Sequence, residues 1–139
     1  MCVAAKAVII NNQRQVLILR EADTYEEGTN FGKWELPGGR INNDEPFYDG
    51  LRREISEETG LEIVGVGQPV FVGEWWPVIK GIKNHIVGIY IKCEMNLAAD
   101  VKLSREHDKS AWIDAKNVAG YDLMPIDKKV LEVAWEMKK

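Results

Sequence analysis

The segment from Pro46 to Gly60 constrains this chain more than any other stretch. Phe47, Leu51 and Ile55 recur every four residues, which places them on one face of a helix. Pro46 suits the first helical turn and Gly60 the C-terminal cap, so both ends are marked. Gly50 in mid-helix costs ~1 kcal/mol relative to Ala, and close packing against a sheet is the expected reason for it. The same helix carries Glu54, Glu57 and Glu58 three and four positions apart, so their carboxylates project together. Stability alone would not choose them. Like charges at these spacings cost ~0.2–0.5 kcal/mol per pair, and the helix macrodipole disfavours negative charge in the last turn. Broken local rules of this kind tend to mark functional sites.

The rest of the chain reads as strands around that helix. Val3 to Ile10 and Gln15 to Arg20 are apolar runs joined by Asn11-Asn12-Gln13-Arg14, the pattern of a hairpin. After a polar stretch from Glu21 to Asn30, a short strand over Lys33 to Leu36 ends at Pro37-Gly38-Gly39, where the chain is expected to reverse. Gln68 to Trp76 and Asn84 to Glu94 read as paired strands around a loop holding Pro77 and Gly81, and Ala111 to Asp114 as a shorter strand. Val130, Leu131, Ala134 and Trp135 mark one face of a C-terminal helix from about Ile126. Strands alternating with two main helices imply an α/β layered sandwich. A length of 139 residues fits one domain over 1–139.

Composition narrows the function classes. A formal net charge of −4 argues against a nucleic acid polymer as partner, since binding one needs a basic face for counterion release. A small phosphate ligand remains compatible with an acidic chain if a metal cation and a few placed Arg or Lys residues supply local positive field. No apolar run approaches the ~18 residues of a membrane helix, and the N-terminus lacks a signal-type pattern, so no membrane partner and a cytoplasmic location are expected. Cys2 and Cys93 are too few for a disulfide framework and form no metal-type cluster with His85 and His107. They read as free thiols, and the two histidines as a strand residue and a loop residue.

Three glutamates in isolation would be a solvated acidic face, but their surroundings are ordered over a longer span. From Gly39 the chain has five residues, Glu45, seven residues, then Arg53-Glu54-Ile55-Ser56-Glu57-Glu58-Thr59-Gly60-Leu61. At ~5–7% usage per specified residue, a chance match is on the order of 10⁻⁷. The pattern resembles the Nudix box at every specified position, and the preceding Trp34-Glu35-Leu36-Pro37-Gly38-Gly39 is similar to the strand and loop that lead into it in MutT-type members.

The resemblance implies the Nudix α/β/α sandwich with a mixed β-sheet. It also implies hydrolysis of a phosphoanhydride bond in a nucleoside diphosphate linked to a further group, with Mg²⁺ or its substitute Mn²⁺ as cofactor. Hard oxygen ligands from a few carboxylates, completed by water and phosphate, are what Mg²⁺ requires, so Glu54, Glu57 and Glu58 are the candidate metal ligands. Arg53 is implied as a positioning residue that orients a ligand carboxylate, beside the plainer reading of an i,i+4 ion pair with Glu57. A glutamate before the Trp112 strand completes the metal site or serves as the base in similar families. That role falls on Glu106, with Asp108 as the close alternative, in a long loop from Leu97 to Ser110. Either Glu54 or Glu106 is the expected general base. Glu45 heads the helix, where a carboxylate can cap orphan amides.

Substrate contacts are less constrained. Arg20 and Arg40 are candidates for phosphate because one ends a strand and the other follows the glycine pair; surface solvation is the alternative for both. Trp75, Trp76, Trp34, Phe31 and Tyr121 read as core or sheet-face residues, one or two of which could stack on a base. Pro77, 16 positions after Leu61, resembles a marker of ADP-ribose hydrolysing members, although a turn would use a proline anyway. Trp34-Glu35, the short chain and Asp127 resemble MutT-type triphosphate pyrophosphohydrolases, where a residue at the start of the last helix contacts the base. Those members often carry Asn there, whereas an ionised Asp only accepts hydrogen bonds. The expectation is a nucleoside triphosphate, with ADP-ribose or another nucleotide sugar as the alternative and a non-catalytic nucleotide-binding module as the rival class. A homodimer is compatible with all three.

Overall fold

The computed structural model describes residues 1–23, 31–96 and 100–136. Its strands are β1 (Cys2–Ile9), β2 (Val16–Glu21), β3 (Trp34–Glu35), β4 (Gly38–Arg40), β5 (Ile63–Trp75), β6 (Val78–Ile79), β7 (Ile82–Lys83), β8 (Ile86–Met95) and β9 (His107–Ile113). Helix α1 spans Phe47–Thr59 and α2 spans Pro125–Glu136, with a short 3₁₀ segment at Ala115–Gly120 between β9 and α2. β4, β1, β8 and β5 form one sheet in that order, in which β1 and β8 run parallel and both edge strands antiparallel, so the sheet is mixed. β3, β2 and β9 form a second sheet.

Alternation along β1 explains the layers. Ala5, Ala7 and Ile9 point to one side and pack with Leu51 and Ile55 of α1; Val8 points to the other and packs with Val130, Leu131 and Ala134 of α2. The two helices therefore cover opposite faces, and the fold is the α/β/α sandwich that the element pattern implies. Helix α1 keeps its expected bounds, with Pro46 at the N-cap and Gly60 in the left-handed region at φ 72°. β5 and β8 pair as expected, although β5 begins five residues earlier than Gln68.

Five expectations are corrected. β1 and β2 are not a hairpin: they touch through one bridge, Ile10 to Val16, and then enter different sheets. Val16 to Leu19 are all fully buried, so β2 needs cover on both faces, which a lone hairpin does not provide. The chain does not reverse at Pro37-Gly38-Gly39 either; it runs on from β3 in one sheet to β4 in the other. Glycine is required there because Gly38 has φ 131° and a Cβ would collide with the Ala5 carbonyl oxygen, and a Cβ on Gly39 would lie 2.5 Å from a Glu54 oxygen. Glu45 does not cap α1, whose N-cap has no side-chain hydrogen bond. Finally, the expected loop to Ser110 ends early, because β9 begins at His107 and runs to Ile113 beside β2; Leu97 to Ala99 lie outside the described residues. Gly50 is tightly packed, but against Ile41 and Glu45 rather than the sheet.

Gly38→Ala is expected to destabilise the protein by at least ~3 kcal/mol, combining a disallowed φ with a backbone collision. Urea unfolding monitored by tryptophan fluorescence checks this, with Arg40→Ala as the edge-strand control.

Candidate active site

The last two turns of α1 face β4. Glu58 is 3% exposed and accepts the Gly38 amide at 2.9 Å. Burial drives its pKa well above the ordinary carboxylate value, against the lowering effect of nearby Lys6. Glu54, also largely buried, lies against Gly39, and its pKa is raised by burial, opposed by Arg53 and reinforced by the charges of Glu57 and Glu106. Glu57 points to solvent, with 58% of its side chain exposed. The three helix carboxylates thus grade from buried to open along one face.

Arg53 holds this face together. It grips Glu45 with two bonds, Nη2 to Oε1 at 2.7 Å and Nε to Oε2 at 3.0 Å, while Nη1 donates to Glu54 and Glu57, each at 3.2 Å. Both readings of Arg53 therefore coexist: it makes the i,i+4 ion pair and also touches Glu54. Glu45, expected as a helix cap, instead serves Arg53 and the Asn42 amide, and these bonds lower its pKa to about 2.

Glu106 immediately precedes β9. Its carboxylate lies within 4.8 Å of ligand atoms of Glu58 and His107. Asp108, the alternative to Glu106, is engaged elsewhere: Arg20 binds it in a bidentate pair at 2.7 and 2.8 Å, and that contact lowers its pKa. Arg20 would have to leave Asp108 to meet a phosphate. Arg40 ends β4 with an exposed side chain, and its carbonyl accepts from Arg53.

Asp127 is buried at the start of α2, 2% exposed. Tyr90 Oη donates to its Oδ1 at 2.6 Å and the Leu36 amide to its Oδ2 at 3.1 Å. Burial raises its pKa to about 6, although Lys6 and these hydrogen bonds oppose the rise. Each oxygen already has a partner, and at 2% exposure little of the carboxylate is open to a base.

Sequence reasoning missed a buried polar network behind the carboxylates. Lys6 Nζ donates to Glu35 Oε1 at 3.3 Å, and His107 Nε2 meets Glu35 Oε2 at 2.9 Å. Burial works against both charges of the ion pair, yet pairing wins: Lys6 is raised by Glu35, Asp127 and Glu58, and Glu35 is held at about 2 by Lys6 and His107. Lys6 had a signal, a lone charge inside the apolar run Val3 to Ile10. His107 had only its position beside Glu106. Trp76, partly exposed, stacks on His85 with ring centroids 4.8 Å apart, and Trp34 meets Tyr121 edge-on at 5.1 Å. Pro77 lies between β5 and the small β6–β7 hairpin, and its carbonyl accepts from the Asn84 amide, which is work for a turn.

Glu58 and Glu106 offer acidic oxygens within 4.8 Å of one another, and Glu54 and Glu57 stand on the same helix as Glu58, a set of oxygen donors that suits a hard divalent cation. Comparison with known proteins agrees with this chemistry. The family model described as NUDIX domain matches residues 2–133, and the chain belongs to that family of pyrophosphohydrolases, which act on small nucleotide substrates. The MutT protein from Methanosarcina mazei Go1 superposes with a TM-score of 0.81 at 30% identity, covering 99% of this chain and 96% of that one. The nucleoside triphosphatase NudI of Escherichia coli O81 (strain ED1a) is 28% identical over 134 residues, 90% of this chain and 91% of its own length. A MutT-like protein of Streptomyces ambofaciens is also 28% identical, and the match spans 66% of that protein's length. No helix among the described residues is long and apolar enough to cross a membrane.

Asp127→Asn supplies a pH test. A carboxyl at about 6 in the folded state, against an ordinary value of 3.8, binds more protons when folded. Its contribution is therefore favourable below pH ~4 and is lost as pH rises through ~6. The carboxamide of the variant keeps an acceptor for the Leu36 amide and a donor toward Tyr90 without a charge. The variant is expected to match or exceed wild-type stability at pH ~7.5 and to show a flatter stability profile between pH ~4 and ~7, measured by urea unfolding.

Proposed function

We propose that this protein is a Mg²⁺-dependent nucleoside triphosphate pyrophosphohydrolase that releases a nucleoside monophosphate and pyrophosphate. The observation that carries this reading is the approach of Glu106 to Glu58, on the helix where Arg53 braces Glu54 and Glu57. The name of the similar NudI nucleoside triphosphatase supports a triphosphate.

Glu54, Glu57, Glu58 and Glu106 would hold the cation, which would supply charge neutralisation at the phosphate oxygens and acidify the attacking water. Arg53 fixes the orientation of Glu54 and Glu57 and offsets their mutual repulsion. Arg40, exposed at the end of β4, contacts the phosphate chain. Water attacks phosphorus, the bond from phosphorus to the bridging oxygen breaks, and pyrophosphate leaves. The proton of the attacking water passes to Glu54 or Glu106. Asp127 holds the Trp34–Glu35 strand end against α2 and so shapes the wall nearest the base.

Product analysis tests the substrate. Triphosphates are expected to give monophosphate and pyrophosphate; a much higher kcat/KM for ADP-ribose, yielding AMP and ribose 5-phosphate, would overturn the choice and leave the metal chemistry in place. Glu57→Gln and Glu58→Gln are each expected to lower kcat by ~10²-fold or more with the fold intact by circular dichroism. Near-normal Mg²⁺-dependent turnover in both would defeat the ligand assignment. Glu106→Gln should lower kcat more than it raises KM, whereas Asp108→Asn should keep kcat. The reverse pattern would move the role to Asp108.

A further inference from the structure

His107 lies outside the carboxylate set, yet its surroundings are those of a metal-binding imidazole. Its side chain is only 2% exposed. Nε2 is committed to Glu35, whose other oxygen takes Lys6. A carboxylate paired with an ammonium can only accept, so Nε2 donates to it and Nδ1 is the ring nitrogen left over. Nδ1 is buried and has no hydrogen-bond partner among the described residues. A buried polar atom without a partner calls for an explanation.

The explanation lies next to it. One ring nitrogen of His107 and one oxygen each from Glu58 and Glu106 all lie within 4.8 Å of one another. Two ligands of one cation, each at ~2.1 Å, are at most ~4.2 Å apart, close to the 4.8 Å that bounds this trio. A histidine whose second nitrogen is oriented by a carboxylate is the usual arrangement of a metal-ligating imidazole. Here Lys6 and Glu35 come from β1 and β3, and both are buried or half-buried, so the orientation is rigid.

We propose that His107 joins Glu58 and Glu106 as a nitrogen ligand, making the inner end of the metal site a mixed nitrogen and oxygen pocket that accepts a first-row transition cation such as Mn²⁺ in the place of Mg²⁺. Imidazole suits such cations, whereas Mg²⁺ keeps to oxygen and sheds water reluctantly. The inference extends the metal site of the proposed hydrolase, and it is tested without nucleotide so that turnover plays no part in the result.

Mn²⁺ is the probe. Loss of the free-ion EPR signal measures binding to the full-length protein, and spin-echo modulation of the bound ion reports coupling to a ring nitrogen. The expected result is imidazole coupling in the wild type, Mn²⁺ bound about tenfold or more tighter than Mg²⁺, and loss of the coupling with about tenfold weaker Mn²⁺ binding in His107→Gln. Should His107→Gln fail to fold, the wild-type spectrum alone decides. Mn²⁺ bound without nitrogen coupling overturns the inference and leaves the all-carboxylate site standing. Absence of Mn²⁺ binding overturns it too, and Mg²⁺-dependent turnover then shows separately whether the hydrolase reading survives.

Discussion

The hydrogen bond from the Gly38 amide to the Glu58 carboxylate joins the turn between the two sheets to the last turn of α1. Everything at the site is measured from it. Glu58 is buried, it sits where the helix macrodipole is unfavourable, and its pKa is pushed up by lost hydration. A chain selected only for stability would place a neutral or apolar group there. The amide and the nearby Lys6 charge offset part of the cost. The close approach that makes the bond possible depends on Gly38 and Gly39, since a Cβ at either would meet Ala5 or Glu54.

Behind that bond lies a second layer of buried charge. β1 contributes Lys6, β3 Glu35, β9 His107, β8 Tyr90 and α2 Asp127, so five elements meet in one polar network. Buried ions are stabilising only when their partners are in place, and removal of one partner typically costs ~3–5 kcal/mol. The network therefore has meaning only in the closed sandwich, where it locks the strand entering the glycine turn against α2 and β9. Arg53 plays the corresponding part on the open side, with three carboxylates on one guanidinium. The cluster is thus braced from both sides, which is what a site holding a cation and a phosphate chain requires.

Much of this is legible in the sequence. α1 is readable to the residue because its apolar period, proline start and glycine end are local signals. The pairing of β5 with β8 follows from two apolar runs around a turn. The β1 to β2 connection misleads because a polar four-residue link looks the same whether the strands pair or part; burial of β2 on both faces decides the matter, and burial is a property of the whole fold. The end of the loop before β9 is hidden for a similar reason. His107-Asp108-Lys109-Ser110 carries no strong strand pattern and is held as a strand by β2.

Sequence spacing by itself determined which carboxylates one helix displays together, because residues three and four apart share a helical face whatever surrounds them. It also determined that Gly38 and Gly39 lead into that helix, which with the rest of the box identified the family. Only the tertiary structure decided that Arg20 pairs with Asp108 88 residues away, that Asp127 is sealed by Tyr90 and Leu36, and that Lys6, Glu35 and His107 stand behind Glu58. These partners lie on different strands and helices, and no local period relates them. They meet because two sheets close on each other, and the burial that follows is what shifts their charges and protons.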